Sequence, residues 1–388
     1  MLRSSNSPVR PNWAELVEQQ GLGFHRAVQS AHLPRPYWDE SVHYTFGADE
    51  IRRLEIDVGN LHTMCLEAVD YVLTHDRYAD FGIPEWVAPV VRDSWRRGDP
   101  HVYGRFDLCY DGVHPPKLLE YNADTPTSLV ESAIIQWHWM RDRFPTADQW
   151  NSLHERLIAR WSRLRPRLPE GPVHFAWSNE DHSGEEALNT AYLQETARQA
   201  GLVTHEVAIE DLGWDHTARE FVDLEERTIT AIFKLYPWEW LVHDRFGPLV
   251  TRSLSTMVWV EPIWKMLLSN KALLAILWEM YPDHPNLLPA YLTGPGSLTS
   301  YVVKPLLGKE GEGATIVTSP GRSASAPGEH GTESCVFQQF QPLPEFEGQH
   351  PVLGVWLVGD EAAGLSIRET SGPITDETSS FVPHLIAG

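Results

Sequence analysis

The segment KLLEYNADTPTSLVES, residues 117–132, begins with apolar residues and then concentrates side chains that carry oxygen atoms. The preceding segment HVYGRFDLCYDG adds Arg105 and Asp107 and ends in a turn-forming Asp-Gly pair. A Pro-Pro pair follows before residue 117. The pattern predicts a β-hairpin over residues 101–128. Because side chains alternate along a strand, Arg105 and Asp107 share one face, as do Glu120 and Asn122. The hairpin would then present a guanidinium, two carboxylates and an amide to one pocket.

This combination suits a site for Mg²⁺ and phosphate. Mg²⁺ binds through one or two carboxylates together with phosphate and water oxygens, and an arginine can hold phosphate oxygens with its planar fork. A ladder of surface ion pairs is the alternative explanation for the same residues. The apolar residues before Glu120 and the hydroxyl residues after it make that alternative less suitable.

A second segment, VVKPLLGKEGEGATIV, contains residues that could bind phosphate from the other side. Lys304 ends an apolar strand, and Gly308, Gly311 and Gly313 follow in a loop whose backbone N–H groups could surround phosphate oxygens. The spacing is neither GxxxxGK[ST] nor GxGxxG, which excludes the P-loop and Rossmann motifs. A simple glycine-rich hairpin turn would have a similar sequence.

Two further segments could complete a nucleotide site. Lys271 in SNKALL stands at the start of an apolar helix and could contact phosphate, or it could be a solvated helix lysine. Gln338 and Gln339 in CVFQQFQPLP end an apolar strand and could recognise an adenine, although a sheet edge without a ligand would look the same.

Composition excludes several classes of protein. The 388 residues are 42% hydrophobic and 22% charged, as in ordinary globular proteins. A formal charge of -22 argues against partners such as nucleic acid or an anionic membrane. Cys65, Cys109 and Cys335 are widely spaced, which favours reduced thiols in the core. There is no signal-like apolar segment, membrane span, HExxH or GxSxG, so we expect a cytoplasmic protein without hydrolase chemistry.

The order of predicted elements indicates an α+β or α/β organisation. Residues 13–98 have mainly helical periodicity, and strands alternate with a helix between residues 173 and 236, as in a small parallel sheet. A long apolar helix is expected between Trp259 and Tyr281, followed by short antiparallel strands that form one carboxyl-terminal, nucleotide-binding sheet. The sequence predicts a loose arm at 1–12, a substrate part at 13–260 and a nucleotide-binding part at 261–388, with a mobile loop at 319–332 within the last part.

The chain resembles a known family in five segments: RFD, EYNADTPTSL, EPIWKMLLSNKALLAILW, VVKPLLGKEGEGATIV and SIRETSGPITDETSSFVPH. Their order and spacing are similar to those of glutathionylspermidine synthase-like proteins, which are ATP-grasp carboxylate–amine ligases. The resemblance extends from about residue 13 to residue 385. It implies an ATP-grasp-type fold. Some members of the family also have an amino-terminal amidase domain, and the length of this chain leads us to expect a stand-alone synthetase unit.

The resemblance also implies roles for individual residues. Arg105 would be the catalytic contact to the transferred phosphoryl group and the acyl phosphate. Mg²⁺, as two ions, would be held by Asp107, Glu120 and Asn122. ATP would be contacted by Arg105, Lys271, Lys304, Gly308, Lys309, Gly311, Gly313, Gln338, Gln339 and Arg368. The acid substrate would be contacted by Thr125, Thr127, Ser128 and Glu186.

The substrates are less constrained than the cofactors. FKLYPWEW has Leu235 where characterised members of the family have a hydroxyl residue. The expected partners are therefore a small-molecule carboxylate, with a peptide such as glutathione as one candidate, and a primary amine or polyamine. An ATP- and Mg²⁺-binding protein without ligase turnover is the alternative function, and a kinase is a third.

Overall fold

The computed structural model describes residues 1–5, 7–26, 35–308, 311–318, 322–325, 334–376 and 378–387. Its strands are β1 (Leu2–Ser4), β2 (His43–Phe46), β3 (Tyr103–Cys109), β4 (Lys117–Asn122), β5 (Val173–Trp177), β6 (Thr204–Ala208), β7 (Gly213–Asp215), β8 (Glu220–Val222), β9 (Ala231–Lys234), β10 (Val258–Val260), β11 (Ala290–Tyr291), β12 (Tyr301–Pro305), β13 (Thr315–Thr318), β14 (Arg322–Ser325), β15 (Cys335–Gln339), β16 (His350–Val358), β17 (Glu361–Thr370), β18 (Ser380–Phe381) and β19 (His384–Ile386).

The α-helices are α1 (Trp13–Gln19), α2 (Ala48–Thr74), α3 (Ala88–Arg97), α4 (Gln136–Arg143), α5 (Leu153–Leu164), α6 (Glu185–Gln199), α7 (Trp238–His243), α8 (Gly247–Ser253), α9 (Met266–Ser269) and α10 (Ala272–Met280). Short 3₁₀ segments lie at Arg77–Phe81, Arg165–Arg167, Ile209–Asp211 and Ile263–Lys265, and a π-helical turn lies at Glu131–Ile135.

The amino-terminal part is mainly helical, as its periodicity predicts, but it begins with a strand. β1 pairs antiparallel with β2, and β19 pairs parallel with the other edge of β2. The loose arm expected at residues 1–12 is therefore wrong for Leu2–Ser4. The guanidinium of Arg3 donates to the buried Glu369 carboxylate at 2.7 Å. This ion pair fixes a segment whose polar sequence predicts a loose arm.

The predicted hairpin of β3 and β4 is confirmed and lies at one edge of a five-stranded antiparallel sheet. The strand order is β18-β17-β16-β3-β4, and Asp107 stands opposite Glu120 across the hairpin. The carboxyl-terminal strands thus do not form one sheet as expected, because β16 and β17 join this hairpin. A second antiparallel sheet has the order β11-β15-β12-β13-β14.

The small parallel sheet is also confirmed, with the order β10-β9-β5-β6. Helix α6 crosses between β5 and β6 and is followed by Gly201, whose φ of +83° is the left-handed conformation that commonly ends helices. Together with the helical amino-terminal part and the antiparallel sheets, this gives the mixed α and β organisation that the sequence predicts. The division of the chain at residue 260 stays a prediction.

The apolar helix expected between Trp259 and Tyr281 is interrupted. Asn270 has an extended ψ of 131°, and its side-chain oxygen accepts a hydrogen bond from Ala272 N at 2.9 Å, which begins α10. Its amide nitrogen donates to Phe81 O at 3.0 Å. A buried asparagine therefore divides the segment and places Lys271 at the start of a helix.

Two further features of the sequence are the loop expected at 319–332 and the apolar character of the helices. The loop expected at 319–332 lies outside the described residues except for β14. Across the described ranges, none of the helices combines the length and apolar character needed to cross a bilayer.

Asp124, directly after β4, ties the hairpin to the parallel sheet. Its carboxylate accepts a hydrogen bond from Lys234 Nζ at 2.7 Å and another from Trp238 N at 2.9 Å. Its own backbone N–H donates to Ser269 Oγ at 2.8 Å. Both charged side chains are buried, so the aspartate fixes the turn through an ion pair and does not cap the following helix.

Removing one member of this pair should destabilise the fold more than removing both. We expect Asp124→Ala to lower the free energy of unfolding by about 3–5 kcal/mol, because the Lys234 ammonium stays buried without its partner. Asp124→Ala combined with Lys234→Met should recover part of that loss. Guanidinium denaturation followed by tryptophan fluorescence measures both. The exposed pair of Asp49 and Arg52 is the control, and its removal should change stability by less than about 0.5 kcal/mol. Equal losses for the two Asp124 variants would contradict the prediction.

Candidate active site

Arg105 lies at the centre of the hairpin face. Its Nε and Nη2 donate to the two carboxylate oxygens of Asp107 at 2.7 and 3.0 Å, and its Nη1 donates to Thr127 O at 2.7 Å. The guanidinium carbon lies 5.5 Å from the ring centroid of Trp356, within cation–π distance. These contacts hold the guanidinium plane in one orientation, and its pKa is raised because the neighbouring carboxylates outweigh the effect of burial.

Gly354 on β16 provides the space for this arginine. It stands opposite Asp107 in the sheet, and a Cβ atom at this position would lie 2.3 Å from Ser366 Oγ and 2.9 Å from Arg105 Cδ. The glycine is therefore a packing requirement of the site in the middle of a strand. Sequence reasoning did not find it, since GVW in an apolar run carries no turn signal.

Asp107, Glu120 and Asn122 are brought together as expected. The Asn122 amide donates to Asp107 Oδ2 and to Glu120 Oε1, both at 3.2 Å. Burial raises the pKa of Asp107 although Arg105 opposes the change. Burial acts in the same direction on Glu120, but the ammonium groups of Lys271 and Lys304 lower the pKa of Glu120 to about 2. Glu120 is thus a carboxylate at neutral pH.

The two predicted lysines approach the Glu120 end of the hairpin from different segments, and Lys271 pairs with its carboxylate. Lys271 Nζ lies 3.1 Å from Glu120 Oε2. Lys304 Nζ donates to Leu119 O at 3.0 Å and to Gln338 Oε1 at 2.8 Å. Burial lowers the pKa of Lys304 to about 8, with Lys271 acting in the same direction and Glu120 opposing it. The cations are therefore placed by the carboxylate and by backbone carbonyls.

The glutamines take different positions. Both ends of the Gln338 amide are used inside the protein, because its nitrogen donates to Leu118 O at 3.0 Å while its oxygen accepts from Lys304. Gln338 therefore positions a lysine, and Gln339 lies beside it in the cavity wall with its side chain exposed. Contact with an adenine stays a prediction for both residues.

The glycine loop packs against the loop after β17. Gly308 O accepts a hydrogen bond from Lys271 Nζ. Gly311 has a φ of +74°, and a Cβ atom there would lie 2.6 Å from Thr375 O. Gly313 has a φ of +65° and is buried beside the cavity wall without lining it. Lys309 lies outside the described residues.

Two cavities meet at the carboxylates of the hairpin. The first has a largely apolar wall with a few polar side chains, as is common for small-molecule sites. Its polar residues are Asp107, Glu120, Lys271, Lys304, Glu312, Gln338, Gln339, Gln341 and Thr375.

The second cavity has more polar walls than the first. Asp107 and Glu120 belong to both cavities, as do Gly311, Val352 and Thr375. The remaining residues of the second cavity are Arg105, Asn122, Thr125, Pro126, Thr127, Ser128, Asp181, Glu185, Glu186, Gly354, Ser366 and Arg368. The predicted substrate residues Thr125, Thr127, Ser128 and Glu186 all line this second cavity. Arg368, predicted to contact ATP, lines the same cavity and not the first one, and its contact with ATP stays a prediction.

Asp181 and Glu185 were not identified from the sequence. Asp181 accepts hydrogen bonds from Ser183 N at 2.9 Å and from Glu186 N at 2.8 Å, so it holds the start of α6 against the second cavity. The spacing of an aspartate before Glu-Glu at a helix start is the signal that could have found it. These acidic residues line the same cavity as Arg105 and Arg368.

The donors at the hairpin fit a hard divalent cation. Among the described residues, no group of three or more His, Cys, Asp or Glu side chains could hold a metal ion by itself. Asp107 and Glu120 supply two carboxylates. The Asn122 amide points its nitrogen at both of them and would have to turn its oxygen toward a bound cation. Mg²⁺ commonly takes one or two carboxylates and completes its shell with phosphate and water. The chemistry of this donor set therefore fits Mg²⁺ when it is bound together with a phosphate ligand.

Comparison with known proteins gives consistent relatives. The glutathionylspermidine synthase preATP-grasp family model matches residues 4–387. A protein of Haemophilus influenzae named "Putative acid--amine ligase" is 39% identical over 398 residues, covering 99% of each chain. The bifunctional glutathionylspermidine synthetase/amidase of Escherichia coli is 28% identical over 374 residues, which is 89% of this chain and 59% of that protein.

A solved structure has a similar fold at low sequence identity. The apo form of a glutathione synthetase-like effector from Globodera pallida has a TM-score of 0.56 and 10% identity, covering 99% of this chain and 100% of that one. This likeness concerns the fold alone. The family match extends over nearly the whole sequence, and it includes the hairpin, both lysines and the glycine loop. The chain belongs to the glutathionylspermidine synthase family.

Proposed function

We propose that the chain is an ATP-dependent ligase that joins a carboxylic acid to an amine through an acyl phosphate. The observation that carries this proposal is the junction of two cavities at Asp107 and Glu120. A phosphoryl group held at these carboxylates would face a nucleotide cavity on one side and an acid cavity on the other. The family membership and the names of the relatives, an acid–amine ligase and a synthetase, support the same reaction class.

The first cavity suits ATP. Its apolar wall could hold a base, while Lys271 and Lys304 lie where phosphate oxygens would approach the hairpin. Both lysines contact Glu120 or its backbone neighbour, so an incoming polyphosphate offers them a second anionic partner. Mg²⁺ on Asp107, Glu120 and Asn122 would supply charge neutralisation for the β- and γ-phosphate oxygens.

The second cavity suits the acid. A carboxylate is a poor electrophile, and phosphorylation gives it a leaving group. Arg105 has its fork aligned with the hairpin carboxylates and reaches the border between the cavities, where it could hold the transferred phosphoryl group. Thr125, Thr127 and Ser128 would orient the acid, with Arg368 and Glu186 as charged contacts farther along the wall. The protein's contribution is mainly positioning and charge stabilisation.

The substrates belong to small polar acids and amines, with glutathione and spermidine as candidates from the relatives' names. Leu235, which replaces a hydroxyl in the family pattern, is 1% exposed and packs in the apolar core of the parallel sheet. It therefore offers no contact to a ligand. A substrate that depends on a hydroxyl at this position should be disfavoured.

Turnover should require an acid, an amine and the Glu120 carboxylate. We expect ADP release with at least one acid–amine pair in a panel of carboxylates and primary amines that includes glutathione and spermidine. Glu120→Gln keeps the shape of the side chain but loses the charge, and kcat should fall by about 100-fold or more. A coupled assay for ADP with and without amine measures this.

An exposed acidic residue on α2 provides the control. Glu55→Gln should leave ADP release unchanged. Release of ADP that needs no amine and yields a stable phosphorylated acid would contradict the ligase proposal in favour of a kinase. ATP-dependent thermal stabilisation without ADP release for any pair would favour a binding protein without turnover.

Gly311 should be required for closure over the nucleotide. Gly311→Ala places a methyl group 2.6 Å from Thr375 O and strains a φ of +74°, so the two loops should separate. We expect the KM for ATP to rise about tenfold or more while the melting temperature changes little.

Gly348 is the matched control for backbone strain. It has a φ of +78°, and a Cβ atom there would meet nothing within 4 Å. Gly348→Ala therefore tests the conformational effect without the steric one. Equal KM values for ATP in the Gly311→Ala variant and the wild-type protein would show that the loop contact has no role in binding.

A further inference from the structure

A buried glutamate behind the second cavity has no role in the proposed reaction so far. Glu131 begins the π-helical turn after Ser128 and is completely buried. Its Oε1 accepts a hydrogen bond from Tyr37 OH at 2.7 Å. Its Oε2 has no hydrogen-bond partner among the described residues. A buried carboxyl oxygen without a partner is unusual and requires an explanation.

A short chain of hydroxyl groups connects this carboxyl group to the cavity wall. The Tyr37 hydroxyl lies 3.4 Å from Ser128 Oγ, and Ser128 lines the second cavity. Ser128 has a φ of +67°, which is uncommon for a residue other than glycine and is often found at functional sites. The π-helical turn is likewise a feature that recurs at functional positions.

The charges around Glu131 favour its neutral form. Burial raises the pKa of Glu131 to about 7, and the carboxylate of Glu185 acts in the same direction, while the Tyr37 hydrogen bond and Arg368 oppose it. Burial also raises the pKa of Tyr37, so the phenol keeps its proton and can only pass one on. The carboxyl group can therefore change its protonation state near neutral pH.

The ligase reaction produces a proton that needs an acceptor. An aliphatic amine is an ammonium ion at neutral pH and cannot attack until it loses one proton. We propose that Glu131 receives this proton through Ser128 and Tyr37, and so acts as the base that prepares the amine. This inference rests on the proposed function, and it places the amine beside the acid in the second cavity, which Ser128 lines.

Three proton transfers along the hydroxyl chain precede the attack of the amine. The ammonium gives a proton to Ser128 Oγ, Ser128 gives its proton to the Tyr37 oxygen, and Tyr37 gives its own to Glu131 Oε1. The neutral amine then attacks the acyl carbon, a C–N bond forms, and the C–O bond to phosphate breaks. The second amine proton leaves with the phosphate. Glu131 returns its proton to solvent before the next turnover.

A test must separate proton acceptance from a structural role of the buried carboxyl group. Hydroxylamine is a weak base and is largely neutral near neutral pH, so it can attack an acyl phosphate without losing a proton first. With the acid that supports ADP release, Glu131→Gln should lower amide formation with an alkylamine such as spermidine by about 100-fold. The rate of hydroxamate formation with hydroxylamine should change by less than about threefold.

Tyr37→Phe should give the same contrast between the two nucleophiles. The wild-type rate with the alkylamine should fall as the pH decreases through about 7, because Glu131 is then protonated before it can accept a proton. This acidic decrease should be absent from the hydroxylamine reaction. Tyr78→Phe, which removes another buried hydroxyl, and Glu55→Gln are the control variants, and both should behave like the wild type.

Equal losses with both nucleophiles would overturn the proposal and leave Glu131 a structural residue. A second measurement needs no substrate. In protein labelled with ¹³C at the glutamate carboxyl groups, the NMR signal that disappears in Glu131→Gln should titrate near neutral pH and shift in Tyr37→Phe. Titration in the ordinary range of glutamate would also overturn the proposal. If no acid supports ADP release, the ligase function fails, and this titration alone decides whether Glu131 can accept a proton near neutrality.

Discussion

Asp107 and Glu120 stand opposite each other on adjacent strands, and the repulsion between their carboxylates is the constraint that organises the site. Neither is fully solvated, so water alone cannot relieve the repulsion. Arg105, Lys271 and Lys304 surround the pair and supply the compensating positive charge. Such an arrangement suits an anionic ligand that is accompanied by a metal ion. The metal ion can pair with the carboxylates while the cations pair with the ligand, so each charged group keeps a partner of opposite charge.

Each of the three cations depends on a residue that has no chemistry of its own. Gly354 leaves room for Arg105, Asn270 ends one helix and begins another beside Lys271, and the Gln338 amide holds Lys304. These residues come from three separate segments of the chain. The precision of the site is therefore distributed over elements that a list of reactive groups would omit.

Local patterns in the sequence were sufficient for much of this organisation. Period-two alternation and turn residues predicted the hairpin and its facing polar side chains, and the alternation of strands and helix predicted the parallel sheet. Patterns of this kind fail where a distant partner decides the structure. β1 is ordered although its sequence is polar, because Arg3 pairs with Glu369. The apolar helix is interrupted at Asn270, whose side chain donates a hydrogen bond to Phe81 O. The roles of Gly354 and Glu131 could not be predicted, because they depend on contacts with Arg105 and Tyr37, which lie far away in the sequence.

The strand order of the central sheet has a consequence for how the molecule is made. The hairpin is synthesised early, but β16 and β17, which cover its other edge, are among the last strands to leave the ribosome. Until then the hairpin carries two facing carboxylates without the strand that accommodates Arg105. Contacts between such distant segments form slowly because a long loop must close first. The candidate site is thus completed at the end of folding, and a chain interrupted before β16 would hold all four strands of the parallel sheet but only part of the candidate site.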